Sequence, residues 1–401
     1  MYKFTLQKLF CLDGLLIDKC ECLDDEICLR VRSPRTRAIC PLCDARTSRI
    51  HRTYHRSIKH MVHDDKIVLL KLKVRNFKCK KCGHIFREAM NGISRRKTTA
   101  HFRQAAVKKI HDRSFRAVAV EHGISAQLLT ASAVEISKQA GLQWPKEAFS
   151  LGMDGHSFSG HDMATTLTNV TSRGLIGILP DYRQDTLAYC LQNIPNTSKK
   201  FITSVCIDMH EGSRTVIEKY LPNIPIVVDK FHVVQLLNKN LEQMRNIYTT
   251  KYYQIPKKLL ERNKEDLDYA ERQILKRVLK SSPALSDMWH LKEWFRTFYR
   301  LKDSKKARAR YAAMLGGLSQ EARPRWKILH KTLNRWKEYI LNYFQHRITN
   351  AYTEGVHTKI KLLKRISYGF RNKQNYIAKM TLAFLPFSIM LNYINSSPGL
   401  T

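Results

Sequence analysis

Cys40-Pro-Leu-Cys43 and Cys79-Lys-Lys-Cys82 constrain the fold of this chain more than any other feature, because two Cys-x-x-Cys turns that share one ion must meet in space. Two thiolates two residues apart chelate a zinc ion through a tight turn, and two such turns complete a tetrahedral four-sulfur site. Turn-forming residues follow each pair, Asp44 after the first and Gly83-His84 after the second. Between them Val68, Leu70, Leu72 and Val74 alternate with Leu69, Lys71, Lys73 and Arg75. That period of two predicts a strand leading into the second pair. The spacing exceeds that of a compact ribbon, so an elaborated zinc-ribbon-like module is expected over residues 1–95. His51, His55, His60, His63 and His84 are alternative ligands, with a solvated basic face as their plainer role.

The charge of the chain is as one-sided as its cysteines are paired. Lys and Arg number 70 against 34 Asp and Glu, a formal net charge of +36 over 401 residues. Residues 32–116 alone hold 24 Lys or Arg against 5 Asp or Glu, with Arg32, Arg35, Arg37, Arg46, Arg49, Arg52 and Arg56 gathered around the first cysteine pair. A globular chain this basic needs a polyanionic partner, nucleic acid before an anionic membrane surface. The start of the chain does not read as a signal peptide. Met380–Leu391, the most apolar late stretch, is too short to span a bilayer and contains Pro386. A soluble chain in the cytoplasm, associated with the nucleoid, is therefore expected, with no membrane partner. Ten cysteines in that setting indicate metal binding or buried thiols rather than disulfides.

A helical hairpin follows. Phe102–His111 carries a helical period with Ala106, Val107 and Ile110 inward, and Phe115, Val118, Ala119 and Val120 lead to Glu121-His122-Gly123-Ile124-Ser125. The glycine supplies a turn and Ser125 a cap for the next helix, whose apolar side continues through Leu128, Leu129 and Val134. This spelling fits a helix-turn-helix over residues 96–146, although many helical hairpins share it. In a DNA-binding unit Ser125, Gln127 and Thr130 would face bases or phosphates.

From Leu151 the pattern changes to that of an α/β domain. Strands are expected at Leu151–Asp154, Leu167–Val170, Leu175–Leu179, Phe201–Ile207 and Ile224–Val228, with helices at Thr186–Ile194 and Ser213–Leu221. Strand-strand-strand-helix-strand-helix-strand is the order of a ribonuclease-H-like domain. Asp154 falls on its first strand and Asp208 at the end of its fourth, where convergent carboxylates hold a pair of divalent ions for phosphoryl transfer. Asp229 ends the fifth strand and rivals Asp208 as the second ligand. An aspartate at a strand end equally well caps the next helix. From Val233 to about Tyr343 the chain reads as charge-rich helices, among them Leu236–Tyr248, Asp266–Leu279 and Trp289–Tyr299. A late helix then carries Glu354 on a polar side with Asn350, Thr358 and Lys361, while Ala351, Val356, Ile360 and Leu363 face a core. Lys361, Lys364 and Arg365 are placed to hold phosphate. The whole is a multidomain α+β chain in which a catalytic domain, 147–232 and 341–395, is split by a helical insertion, 233–340.

Several of these runs resemble the insertion-sequence transposases of the ISL-three family. Val228-Asp-Lys-Phe-His-Val-Val-Gln-Leu-Leu-Asn238 is similar to one family signature. Leu341-Asn-Tyr-Phe344, Arg347-Ile-Thr-Asn-Ala351, Glu354-Gly355, Lys359–Arg365 and Tyr368-Gly-Phe-Arg-Asn372 resemble its last block. The resemblance implies a DDE transposase that binds the terminal inverted repeats of its own element. Asp154, Asp208 and Glu354 would hold two Mg2+ (or Mn2+) ions, a structural Zn2+ would sit in the front module, and double-stranded DNA would be the partner. Bringing two ends together implies a homodimer or higher assembly. Asp229 and His232 resemble the Asp-x-x-His element that related transposases with helical insertions place near the active site, where His232 would orient a carboxylate or touch DNA, with packing beside a strand as the alternative. The family follows its first aspartate with Glu-Phe-Ser, whereas this chain has Gly155-His156-Ser157. Trp289 and Trp294 are candidates for stacking on a base, with core packing as the alternative. A non-catalytic DNA-binding repressor would need the front modules without all three acids, and a plain nuclease the acids without those modules.

Overall fold

The structure is a computed structural model and describes residues 2–93, 96–249, 254–314 and 323–386. The chain divides into two compact units, Met1–Gly141 with Ile360–Thr401, and Leu142–Lys359.

In the first unit, α1 (Tyr2–Leu9) precedes β1 (Leu16–Cys22), β2 (Glu26–Arg32), the short β3 (Ala38–Ile39) and β4 (Arg46–Thr47), β5 (Ile50–His63), β6 (Lys66–Lys78) and β7 (Ile85–Arg87). The main sheet runs β1-β2-β6-β5, with β7 also on β6 and the β2–β6 pair parallel. Along β6, Val68, Leu70, Leu72 and Val74 are buried while Lys71 and Lys73 face solvent, the alternation expected of a half-buried strand. Asp64 and Asp65 both adopt positive φ, 50° and 59°, between the paired residues His63 and Lys66. A two-residue turn with both φ positive matches the twist of the strands that it joins.

Three helices follow, α2 (Ala100–Lys108), α3 (Phe115–Glu121) and α4 (Ala126–Ala140). Each starts at a hydroxyl cap. Thr99 accepts from Phe102 N–H, Ser114 from Ala117 N–H and Ser125 from Leu128 N–H. Ala106, Val107, Ile110, Val118, Leu129, Ala133 and Ile136 form their common core.

The second unit carries the sheet anticipated from the later sequence. Its strands are β8 (Phe149–Ser159), β9 (Asp162–Asn169), β10 (Gly174–Leu179), β11 (Ile202–Ile207) and β12 (Ile226–Val228). Helices α5 (Gln184–Gln192) and α6 (Asn196–Lys199) precede β11, and α7 (Glu211–Tyr220) joins it to β12. The sheet order is β10-β9-β8-β11-β12, antiparallel through the first three strands and parallel from β8 to β12. β11, apart from the exposed Thr203, and β12 are buried, as strands covered on both faces must be.

Helices then run from α8 (Lys230–Tyr248) through α9 (Lys257–Glu261), α10 (Tyr269–Ser281), α11 (Pro283–Phe298), α12 (Ser304–Ala313), α13 (Arg323–Arg335), α14 (Lys337–Leu341) and α15 (Tyr343–His346). Their apolar faces share one core with the sheet, so Leu237, Met288, Phe295 and Phe344 belong to the same cluster as Leu151 and Val205. Lys292, 1% exposed, donates to the carbonyls of Leu260 and Arg262 at 2.8 Å and closes the end of α9.

The last helices are α16 (Ala351–Ile366) and α17 (Lys373–Phe384). Val356, Ile360 and Leu363 of α16 are buried as expected, but Ala351 is exposed and Asn350, expected on the polar side, is fully buried. Within the expected segment 341–395, Leu382 and Leu385 pack into the core of α2–α4. Residues 387–395 of that segment, and Leu391 of the late apolar stretch, lie outside the described residues.

Candidate metal centres

Parallel pairing brings the aspartates of the second unit to one level. Cys206 pairs with Gly152, and Ile207 with Val228. Carrying the first register on by two residues sets Asp154 beside Asp208, and carrying the second on by one sets Asp208 beside Asp229. The Asp229 N–H donates to Ile207 O at 2.9 Å, so the alignment persists past the strand end. Asp154 is thus in mid-strand, at the point where β8 outruns its parallel neighbour. Asp229 caps α8, its Oδ1 accepting from Phe231 N–H at 3.3 Å. Glu354 lies in the first turn of α16.

That helix is seated by close approach to the sheet. Asn350 Nδ2 donates to Met153 O at 3.2 Å and to Cys206 O at 3.4 Å, and Thr353 Oγ1 lies 2.7 Å from Thr168 Oγ1. Gly152 makes room, since a Cβ there would meet Thr168 Oγ1 at 2.4 Å, Val170 Cγ1 at 2.7 Å and Asn350 Oδ1 at 2.9 Å. A substituent at residue 152 would therefore push away the residue from which the helix carrying Glu354 is hung.

The electrostatics show acids that feel one another. Burial pushes the Asp154 carboxyl up to about 7, His232 opposes the rise, and Asp208 and Asp229 add to it. Asp229, 1% exposed, is also raised by burial, against the pull of the Phe231 N–H and His232. Burial raises Glu354, Asp229 raises it further and His232 lowers it. Asp208 accepts from the Tyr182 hydroxyl at 2.8 Å. Among the described residues, four side-chain atoms here are buried without a hydrogen-bond partner: Asp229 Oδ2, His232 Nε2, Asn350 Oδ1 and Glu354 Oε1. Buried carboxylate oxygens left bare are costly and suit a cation. Among the described residues these acids do not form a group with all ligand atoms within 4.8 Å; only the four cysteines do.

Sequence reasoning missed the residues around this row. His357 Nδ1 lies 3.6 Å from Asp154 Oδ2, and its Nε2 lies 3.0 Å from Thr166 Oγ1, which in turn lies 2.8 Å from His156 Nδ1. His156, in the Gly155-His156-Ser157 run after the first aspartate, thus belongs to a buried polar chain with Thr166 and His357. The one available signal for His357 was its spacing, a single turn beyond Glu354 on the same helix.

The cysteine turns meet as expected. Sγ–Sγ separations are 3.6 Å for Cys40–Cys82, 3.6 Å for Cys43–Cys79 and 3.5 Å for Cys43–Cys82. Zinc–sulfur bonds of about 2.3 Å set tetrahedral edges of about 3.8 Å, so the four thiols fit the ion with little movement. Asp44 (φ 52°) and Gly83 (φ 75°) turn the chain back after each pair. Of the alternative ligands, His60 is buried against Thr99 Oγ1 at 3.1 Å, and His84 stacks on Phe86.

Ser125 and Gln127 are exposed at the start of α4, and Thr130 Oγ1 donates to Ala126 O at 2.7 Å. Lys361 and Arg365 are exposed and Lys364 is half-buried in the second half of α16. Trp289 is buried, and Trp294 stacks on Phe298 at 4.9 Å, so both tryptophans belong to the core.

Residues 151–380 match the transposase family DDE_Tnp_ISL3, a span that takes in Asp154, Asp208, Asp229, His232 and Glu354. The chain belongs to this family of insertion-sequence transposases. It is also similar to "Transposase for insertion sequence element IS1001" of Bordetella parapertussis, with 23% identity over 361 residues, 86% of this chain and 88% of that protein. Among the described residues no helix is long and apolar enough to cross a membrane.

Proposed function

We propose that this chain is a DNA transposase that binds the terminal inverted repeats of its insertion sequence and cuts and joins DNA at an acid-lined site. The observation that carries this reading is the row of Asp154, within β8, beside Asp208 and Asp229, which directly follow the parallel strands β11 and β12, with Glu354 of α16 raised by Asp229 of that row. The sheet order and its interruption by helices support a ribonuclease-H-like domain, 147–232 with 341–395, split by a helical insertion, 233–340. Residues 1–95 and 96–146 then serve as zinc-binding and helix-turn-helix modules.

Asp154, Asp208 and Glu354 are assigned as ligands of two Mg2+ or Mn2+ ions, and the bare buried oxygens near them favour such an assignment. Bound there, the ions would activate water and then a 3′-hydroxyl and neutralise the leaving oxygen. The protein's own part is to hold these carboxylates in place. Tyr182 donates to Asp208 and fixes one oxygen, while His232 tempers the charge of Asp154, Asp229 and Glu354. Asp229 spends one oxygen on capping α8 and keeps the other, which retains it as the rival second ligand. Lys361, Lys364 and Arg365 hold phosphate, and Ser125, Gln127 and Thr130 face DNA. Cys40, Cys43, Cys79 and Cys82 hold a structural Zn2+ that joins two distant turns. Two DNA ends require two active sites, so a dimer or larger assembly on the nucleoid is part of the proposal.

The test is Mn2+ binding followed by its paramagnetic resonance signal. Wild-type protein should bind Mn2+, and Asp154→Asn and Asp208→Asn should each weaken binding about 10-fold or more. Unchanged Mn2+ affinity in both variants contradicts the ligand assignment. DNA binding without cleavage in the wild type would favour the repressor reading.

A further inference from the structure

Tyr368 has no folding reason to be what it is. α16 ends with Tyr368 N–H donating to Arg365 O and Gly369 N–H to Lys364 O, both at 2.9 Å, a helix end whose first residue beyond the cap is left-handed. Glycine is the usual occupant of that place, yet here it holds a tyrosine at φ 53°, 97% exposed. An aromatic ring that is strained in the backbone and buries nothing indicates a use outside folding.

Its surroundings identify the use. The turn after α16 and the outer side of α3 enclose an open cavity of about 860 Å³. Tyr368 supplies an exposed aromatic ring, the half-buried Phe115 and Phe370 line the cavity while meeting edge-on at 6.5 Å, and Arg116 and Arg371 supply two exposed guanidinium groups. Among the described residues neither arginine has a carboxylate partner within salt-bridge distance. Asn375 and Ser367 are among its lining residues, and Ser367 Oγ is buried without a hydrogen-bond partner among the described residues. Aromatic faces beside unpaired cations and amide groups match a base joined to a phosphate. In duplex DNA the base faces are already stacked on one another, so a protruding ring gains its stacking only on an unpaired base.

Resting on the DNA-handling reading above, we propose that this cavity binds an unpaired nucleotide of DNA, the base stacking on Tyr368 and the flanking phosphates pairing with Arg116 and Arg371. This places single-strand recognition on the helical part of the first unit, away from the tryptophans that the sequence suggested for it.

The probe is a fluorescein-labelled thymidine oligonucleotide of about 20 nucleotides, compared with a duplex of the same length, binding the full chain. Tyr368→Gly should weaken single-strand binding roughly 5-fold or more, leave duplex binding within about 2-fold, and leave Tm unchanged or raised, because glycine suits the left-handed position. Tyr368→Trp should keep single-strand affinity. Replacing Arg116 and Arg371 by Gln should lower the salt dependence of single-strand affinity, by a slope of about 0.7 for each phosphate that is no longer neutralised. Duplex binding by the wild type with no effect of Tyr368→Gly on the single strand overturns this site alone. Failure of the wild type to bind either DNA overturns the DNA-handling reading with it.

Discussion

At Gly152 a single missing methyl decides how closely α16 approaches the sheet. Gly152→Ala drives a Cβ into Thr168, Val170 and Asn350 and should cost about 1–3 kcal/mol of stability, measured by denaturant unfolding. An unchanged midpoint would mean that the helix is not seated there. Asp154 makes a second residue-scale prediction. Its folded-state pKa of about 7 stands above the ordinary 3.8, so between those values the folded protein keeps a proton that the unfolded chain has released. Rising pH therefore favours unfolding over that window. Asn carries no such proton, so in the absence of metal Asp154→Asn should raise Tm more above pH about 7 than below pH about 4. An equal effect at both ends removes the burial argument. Asp208 and Asp229 were legible in sequence because a lone carboxylate after an apolar strand stands out. Their supports were not. Asn350 reaches Met153 across 197 residues, and His357, Thr166 and His156 meet only once the helix is laid on the sheet.

Elements were legible where period and caps agreed. The strands from Phe149 to Val228 and the Ser125 cap of α4 follow from local spelling, whereas the Thr99 and Ser114 caps of α2 and α3 were not read there. The partner of α17 did not, because an apolar stretch states that it is buried without stating against what. Lys379 supplies the specificity. Fully buried, it donates to the carbonyls of Ile110 and Arg113, just past the end of α2. Lys379→Met keeps the bulk and removes the donors, and should cost about 1–3 kcal/mol by thermal unfolding. No loss would mean that water satisfies those carbonyls equally well. The cysteine turns form another element-scale device, tying the β3–β4 region to the β6–β7 turn. Metal analysis should find one zinc per chain in the wild type and none in Cys43→Ser, with the variant more readily cleaved by protease between residues 33 and 87. A wild type without zinc contradicts this.

Over the whole molecule, a net charge of +36 and a row of buried and half-buried acids set opposite demands. The basic surface draws in a polyanion, while the acids repel it unless cations intervene, so substrate and metal ions should support each other's binding. Composition announced the first demand, whereas the second needed the sheet. The most direct measurement is cleavage of DNA ending in the element's terminal repeat, with Mg2+ present, by wild-type protein and by Asp154→Asn, Asp208→Asn and Glu354→Gln. The account predicts cut ends from the wild type alone, with DNA binding retained by all four proteins. Cleavage at the wild-type rate by any of the three variants would contradict the assignment of that acid to the reaction.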